Sequence, residues 1–205
     1  MVVQFKELGI VFNGYGAVKD DVGNYKTASL EKLFKRFASM IDDSVKTVVK
    51  ECNWLGEMHS KRFINQVRCY NYQSADWSGR AAYTNNMQKG VLQINLAHIF
   101  RMAQHGMPQT RIKQVIHEIV VHEMAHFFYR YRPEMTEKWS KAVIEIGKPV
   151  DDYSVEHKDK WSETLWANEI HSIMSEFLIA RKDMKFCVDS KAYQQYKKLY
   201  TEMHS

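Results

Sequence analysis

The chain has 205 residues, 45% of them apolar and 26% charged, which allows a sizeable core and excludes a disordered or membrane-embedded chain. No run approaches the roughly 18 apolar residues of a membrane span, and the N-terminus MVVQFKELGIVFNGYG shows no signal-peptide pattern, so a cytoplasmic protein without membrane attachment is expected. Net charge is +5, which admits an anionic partner such as nucleic acid, although the basic residues are dispersed rather than clustered.

Residues 1–26 mix short apolar pieces with Asn-Gly and Gly-Tyr-Gly and read as a strand or irregular segment ending in turns. Leu30, Leu33, Phe34, Phe37, Met40, Ile41, Val45 and Val48 then recur in steps of three and four, predicting an amphipathic helix over 28–51. Residues 62–97 read as sheet. RFINQVRCYNY alternates and is rich in β formers, and RAAYT and VLQINL follow after turn signals at Asp76, Ser78, Gly79, Asn85, Asn86 and Gly90. Three antiparallel strands are the expectation. A short helix over about 97–104 ends at His105-Gly106-Met107-Pro108, and a longer one spans 109–131. Further helices are expected over 134–145, 160–183 and 189–203, with PVDDYSVEHKD as a loop before the second of them. The order predicts an α+β fold as a single domain, residues 1–205, with a helix-plus-sheet part (1–108) and a helical part (109–205). Cys52, Cys69 and Cys187 are sparse and odd in number, so no disulfide framework is expected.

The chemistry concentrates in 117–128, HEIVVHEMAHFF. Two histidines and a glutamate in an apolar helix cost free energy unless each has a partner. His122 and His126 are four apart, one turn above the other, so both imidazoles can grip one metal ion. Glu123 is rotated by about 100° and can reach a water on that ion as general base. This is the mechanical content of HExxH: two zinc ligands and a base. Glu118, one turn earlier, is a candidate to orient an imidazole. A hydrogen-bonded core histidine is the plain alternative, but the long apolar helix after a sheet favours one Zn2+ per chain.

A catalytic zinc needs a third protein ligand. Tyr129 and Arg132 occupy the places where the metzincin pattern needs Gly and His, and no histidine occurs between 127 and 156. His157 is a minor candidate in a polar loop. The segment KWSETLWANEIHSIMSEFLIA offers Glu163, near the middle of the face made by Trp166, Ile170, Ile173, Met174 and Phe177, and Glu169 on its flank, with a small residue three places on. Glu163 is favoured slightly; Glu169 stays open; Glu176 fits a supporting role. Tyr153 is a candidate hydrogen-bond donor to an oxyanion.

These residues resemble the zincin metallopeptidases. GRAAYT, VLQINLAHIF, VIHEIVVHEMAHFF and EKWSKAVIEIG are similar to SprT-like proteases, which take a later histidine as third ligand where this chain has none. DDYSVEHKDKWSETLWANE resembles lethal-factor-like gluzincin domains, in which a tyrosine precedes a helix whose glutamate binds zinc. Asn168-Glu169 resembles the thermolysin-type pattern. The resemblance implies a compact zincin-like domain with an N-terminal helix, a small antiparallel or mixed sheet, the HExxH helix and a C-terminal helical part. It implies zinc on His122, His126 and a glutamate, Glu123 as base and Tyr153 as oxyanion donor. The expected function is a zinc metalloendopeptidase acting on a peptide or protein. The alternatives are an SprT-like protease for DNA-associated proteins and a non-catalytic zinc-binding protein, against which the intact Glu123 argues.

Overall fold

The computed structural model describes residues 10–12, 27–54, 64–70, 78–83, 90–128 and 132–205. In chain order these hold β1 (Ile10–Phe12), α1 (Thr27–Glu51), β2 (Ile64–Tyr70), β3 (Gly79–Tyr83), β4 (Gly90–Asn95), α2 (Ala97–Gln104), α3 (Gln109–His126), α4 (Pro133–Ile146), α5 (Asp152–His157), α6 (Glu163–Leu178) and α7 (Ser190–His204). The α+β class expected from the sequence is the one observed. The chain divides into two units, 1–120 and 121–205, and the division falls within α3.

In the first unit the strand order is β1-β2-β4-β3. β2 runs parallel to β1 and to β4, and only β3 is antiparallel, on β4. This corrects the expectation of three antiparallel strands, which assumed that strands adjacent in sequence pair with each other. Instead β4 inserts between β2 and β3, and α1 forms the long crossover that parallel pairing of β1 with β2 requires. The position of β4 explains its burial. Val91, Leu92, Ile94 and even Asn95 are buried, and only Gln93 of the more polar face stays half-buried. Asn95 Oδ1 accepts from Ala97 N at 3.2 Å, satisfying a donor at the start of α2. Phe37, Ile41, Val45 and Val48 of α1 are buried as their spacing predicts, and the Phe37 and Phe100 rings meet at 5.4 Å. The rest of residues 1–26, and residues 129–131 of the helix expected over 109–131, lie outside the described residues.

The second unit is helical. α4 starts at Pro133, a residue suited to the first helical position, and closes on Gly147, whose φ of 56° is the left-handed geometry that favours glycine. Trp139 of α4 is buried and donates through Nε1 to the Ala167 carbonyl of α6 at 2.7 Å, fixing the two helices together. Trp166, Ile170, Ile173, Met174 and Phe177 of α6 are buried as predicted. The expected loop at 149–159 instead contains α5. Asp151 caps it by accepting from Ser154 N at 3.0 Å, and Ser154 Oγ accepts from Asp151 N at 2.9 Å. This is a reciprocal capping box with serine where glutamate or glutamine is usual, which hid the helix start. Cys52, Cys69 and Cys187 are free thiols. No helix among the described residues is long and apolar enough to cross a membrane.

Candidate metal centre

The described side chains discussed around the HExxH motif belong to the second unit. His122, Glu123 and His126 on the last turns of α3 place one ligand atom each within 4.8 Å of one another, a group that can hold a metal ion. Glu123 is buried. The two imidazole rings stand nearly perpendicular, 79° apart, with centroids at 4.7 Å.

α6 supplies the partners. Glu169 Oε2 lies 3.3 Å from His122 Nε2, and Glu169 Oε1 lies 3.5 Å from His126 Nε2. One carboxylate therefore faces the same ring nitrogen of both histidines. The opposite ring nitrogens are engaged elsewhere. His122 Nδ1 donates to Glu176 Oε1 at 2.5 Å. His126 Nδ1 donates to Asn168 Oδ1 at 3.1 Å and has Ser172 Oγ at the same distance. A hydrogen bond at Nδ1 fixes the tautomer and leaves the Nε2 lone pair for a metal.

The two glutamates singled out in α6 separate here. Glu169 is inside the cluster. Glu163 is exposed, at the first position of α6 after Ser162, whose Oγ caps the helix by accepting from Leu165 N at 3.3 Å. The slight preference for Glu163 is corrected on that ground. Its heptad spacing from Ile170 is right, but the apolar face begins only at Trp166, so Glu163 stays in solvent, where its charge complements the helix dipole. Glu118 is likewise not the orienting group: it accepts from Gln114 at 3.0 Å and from Arg111 at 3.3 Å. Glu176 has that role. His157, the minor candidate, donates from Nδ1 to the Tyr153 carbonyl at 2.9 Å and stacks on Trp161 at 5.0 Å.

Electrostatics separate the two histidines. Burial opposes protonation of His122, but contact with Glu169 and Glu176 outweighs it and holds its pKa well above the ordinary value. Burial and the neighbouring His122 charge bring His126 down to about 4. Burial raises Glu169 and Glu176, yet close contact with His122 leaves both below the ordinary carboxylate value. Three carboxylates, those of Glu123, Glu169 and Glu176, thus lie close to the two imidazoles. Glu169 Oε2 is buried without a well-formed hydrogen bond. Such an oxygen is costly unless it finds a cation. Two imidazoles and the Glu169 carboxylate with this oxygen are donors that fit a divalent metal ion.

Tyr153 on α5 is half exposed and rests against His157 and Trp161, with ring centroids at 4.5 and 5.4 Å. Burial, then the charges of Glu169 and Glu123, push its phenol up to about 12, so it remains a hydrogen-bond donor at neutral pH.

Asn168, Ser172 and Lys182 were not singled out from the sequence as site residues. Asn168 and Ser172 flank Glu169 at positions one before and three after, where helix geometry brings them to His126. Lys182 carries no sequence signal; its part emerges from the fold at the end of α6. In comparisons with known proteins, no family model, curated protein or solved structure matches the chain.

Proposed function

We propose that the chain is a zinc-dependent metallopeptidase of the gluzincin kind, with a zincin-like arrangement around the HExxH helix. The carrying observation is the convergence of Glu169 on the Nε2 atoms of His122 and His126, with both Nδ1 atoms already bonded. His122, His126 and Glu169 would hold one zinc ion. When bound, zinc supplies Lewis acidity that brings a water molecule towards ionisation at neutral pH. Glu123 would accept a proton from the attacking water and pass it to the leaving amine. Tyr153 donates its phenol hydrogen to the carbonyl oxygen as that oxygen gains charge. Asn168, Ser172 and Glu176 keep the imidazoles oriented through the cycle. The reading is tested by elemental analysis together with cleavage of an unfolded protein substrate. One zinc per chain and cleavage lost in Glu123→Gln support it; a folded chain that takes up no zinc refutes it.

A further inference from the structure

Glu176 is shared between two partners. It accepts from His122 through Oε1 and from Lys182 Nζ through Oε2, at 2.6 Å. The same Nζ donates to Asp151 Oδ2 at 2.8 Å. The three side chains are nearly enclosed, with 14% of Lys182, 12% of Glu176 and 4% of Asp151 exposed. A buried ammonium held by two buried carboxylates is costly to assemble and costly to break. The chain also accepts backbone strain to place it. After α6, Lys182 N donates to the Glu176 carbonyl at 3.0 Å, and Arg181 just before it takes the left-handed φ of 56° that favours glycine.

The other end of the link is Asp151, the cap of α5, the helix that carries Tyr153. Lys182 therefore ties the carboxylate that orients His122 to the residue that anchors the tyrosine helix. We propose that Lys182 is a positioning residue that sets two things together: the zinc affinity of His122, through Glu176, and the placement of the Tyr153 phenol, through Asp151. The inference rests on the metallopeptidase reading of the same site.

The charge on Lys182 matters in a definite way. It holds the Glu176 carboxylate in place through Oε2, so that Oε1 receives the Nδ1 hydrogen of His122 and leaves Nε2 to the metal. Without it, Glu176 is a buried carboxylate with one fewer partner and Asp151 loses its counter-charge, while the Asp151 cap on α5 remains.

The test compares Lys182→Met, Lys182→Arg and Asp151→Asn in the full chain, each shown to be folded by circular dichroism. The dissociation constant for zinc is read by competition with a chelating dye, and kcat and KM are read at saturating zinc. Lys182→Met is expected to weaken zinc binding about tenfold to a hundredfold, the usual cost of losing a group behind a metal ligand. It should also lower kcat at saturating zinc with KM little changed, and Lys182→Arg should recover most of both. Asparagine caps helices as well as aspartate does, so Asp151→Asn keeps α5 and removes only the charge pair. It should lower kcat while zinc affinity stays that of the wild type. Adding Tyr153→Phe to Asp151→Asn should cost less than Tyr153→Phe alone, because both act on one phenol. If Lys182→Met does not fold, Asp151→Asn and Lys182→Arg decide the matter. Unchanged zinc affinity in folded Lys182→Met, or unchanged kcat in Asp151→Asn, overturns the inference. A wild type that binds zinc and cleaves peptide while these variants match it sinks the Lys182 link alone; a wild type without zinc sinks the metallopeptidase reading with it.

Discussion

Replacing Glu169 by alanine, beside the same change at Glu163, discriminates most sharply among the residues of α6. Glu169 presents its oxygens at 3.3 and 3.5 Å to the two Nε2 atoms, whereas Glu163 is exposed at the start of the helix. Losing a group behind a metal ligand costs about tenfold to a hundredfold in affinity, so losing a ligand itself should cost at least about a hundredfold. The consequence for thermal stability follows from mass action. At a free zinc concentration of about 100 times the wild-type dissociation constant, binding stabilises the fold by about 2.7 kcal/mol. A chain of this size gains roughly 2–4 °C per kcal/mol, so zinc should raise the wild-type Tm by about 5–10 °C. At the same zinc concentration a hundredfold weaker Glu169→Ala retains only about 0.4 kcal/mol, a shift of about 1 °C. Glu163→Ala should keep the full shift. Differential scanning fluorimetry with and without zinc, with elemental analysis for stoichiometry, reads both. A full zinc shift in Glu169→Ala, or its loss in Glu163→Ala, refutes the assignment of the third ligand.

Glu123→Gln should lower peptide cleavage by roughly 10²–10⁴-fold, the contribution of a general base, while zinc content stays at the wild-type level; loss of zinc together with activity would make Glu123 a ligand instead. Tyr153→Phe should reduce kcat by roughly a hundredfold or more with zinc affinity unchanged, and undiminished kcat would remove the phenol from the reaction. His204 tests the aromatic cluster it forms with Phe128, His171 and Tyr200. Burial brings its pKa from 6.5 down to about 4. The unfolded chain therefore binds more protons between those values, and the stability contributed by neutral His204 is present above pH 6.5 and lost as pH falls towards 4. Tm of the wild type should decline over that window, and His204→Gln should flatten the decline; an unaltered slope would mean that the buried imidazole titrates as freely as an exposed one.

Much of this protein is legible in local pattern. Apolar residues spaced three and four apart mark α1 and the buried face of α6, and helix geometry alone puts His122 and His126 on one side with Glu123 beside them. Spacing also left room at Ser172, three residues after Glu169, where the fold brings a hydroxyl to His126. What the pattern leaves open is whatever depends on where one element lies against another. Strand alternation does not say which strand is neighbour to which, so β4 between β2 and β3, and the parallel pairing that results, came only from the fold. Glu163 and Glu169 both lie on or beside the apolar face of α6, and periodicity ranks them nearly alike. Their depth along the helix separates them, and that depth is set by where α3 and α6 come together. Lys182 is the extreme case: a lysine after a helix is ordinarily solvated, and only the turn after α6 that returns it between Glu176 and Asp151 brings it to the site. Local sequence carries the identity and periodicity of the chemical groups; the distances between groups remote in the chain are set by packing, and a third ligand is a statement about distance.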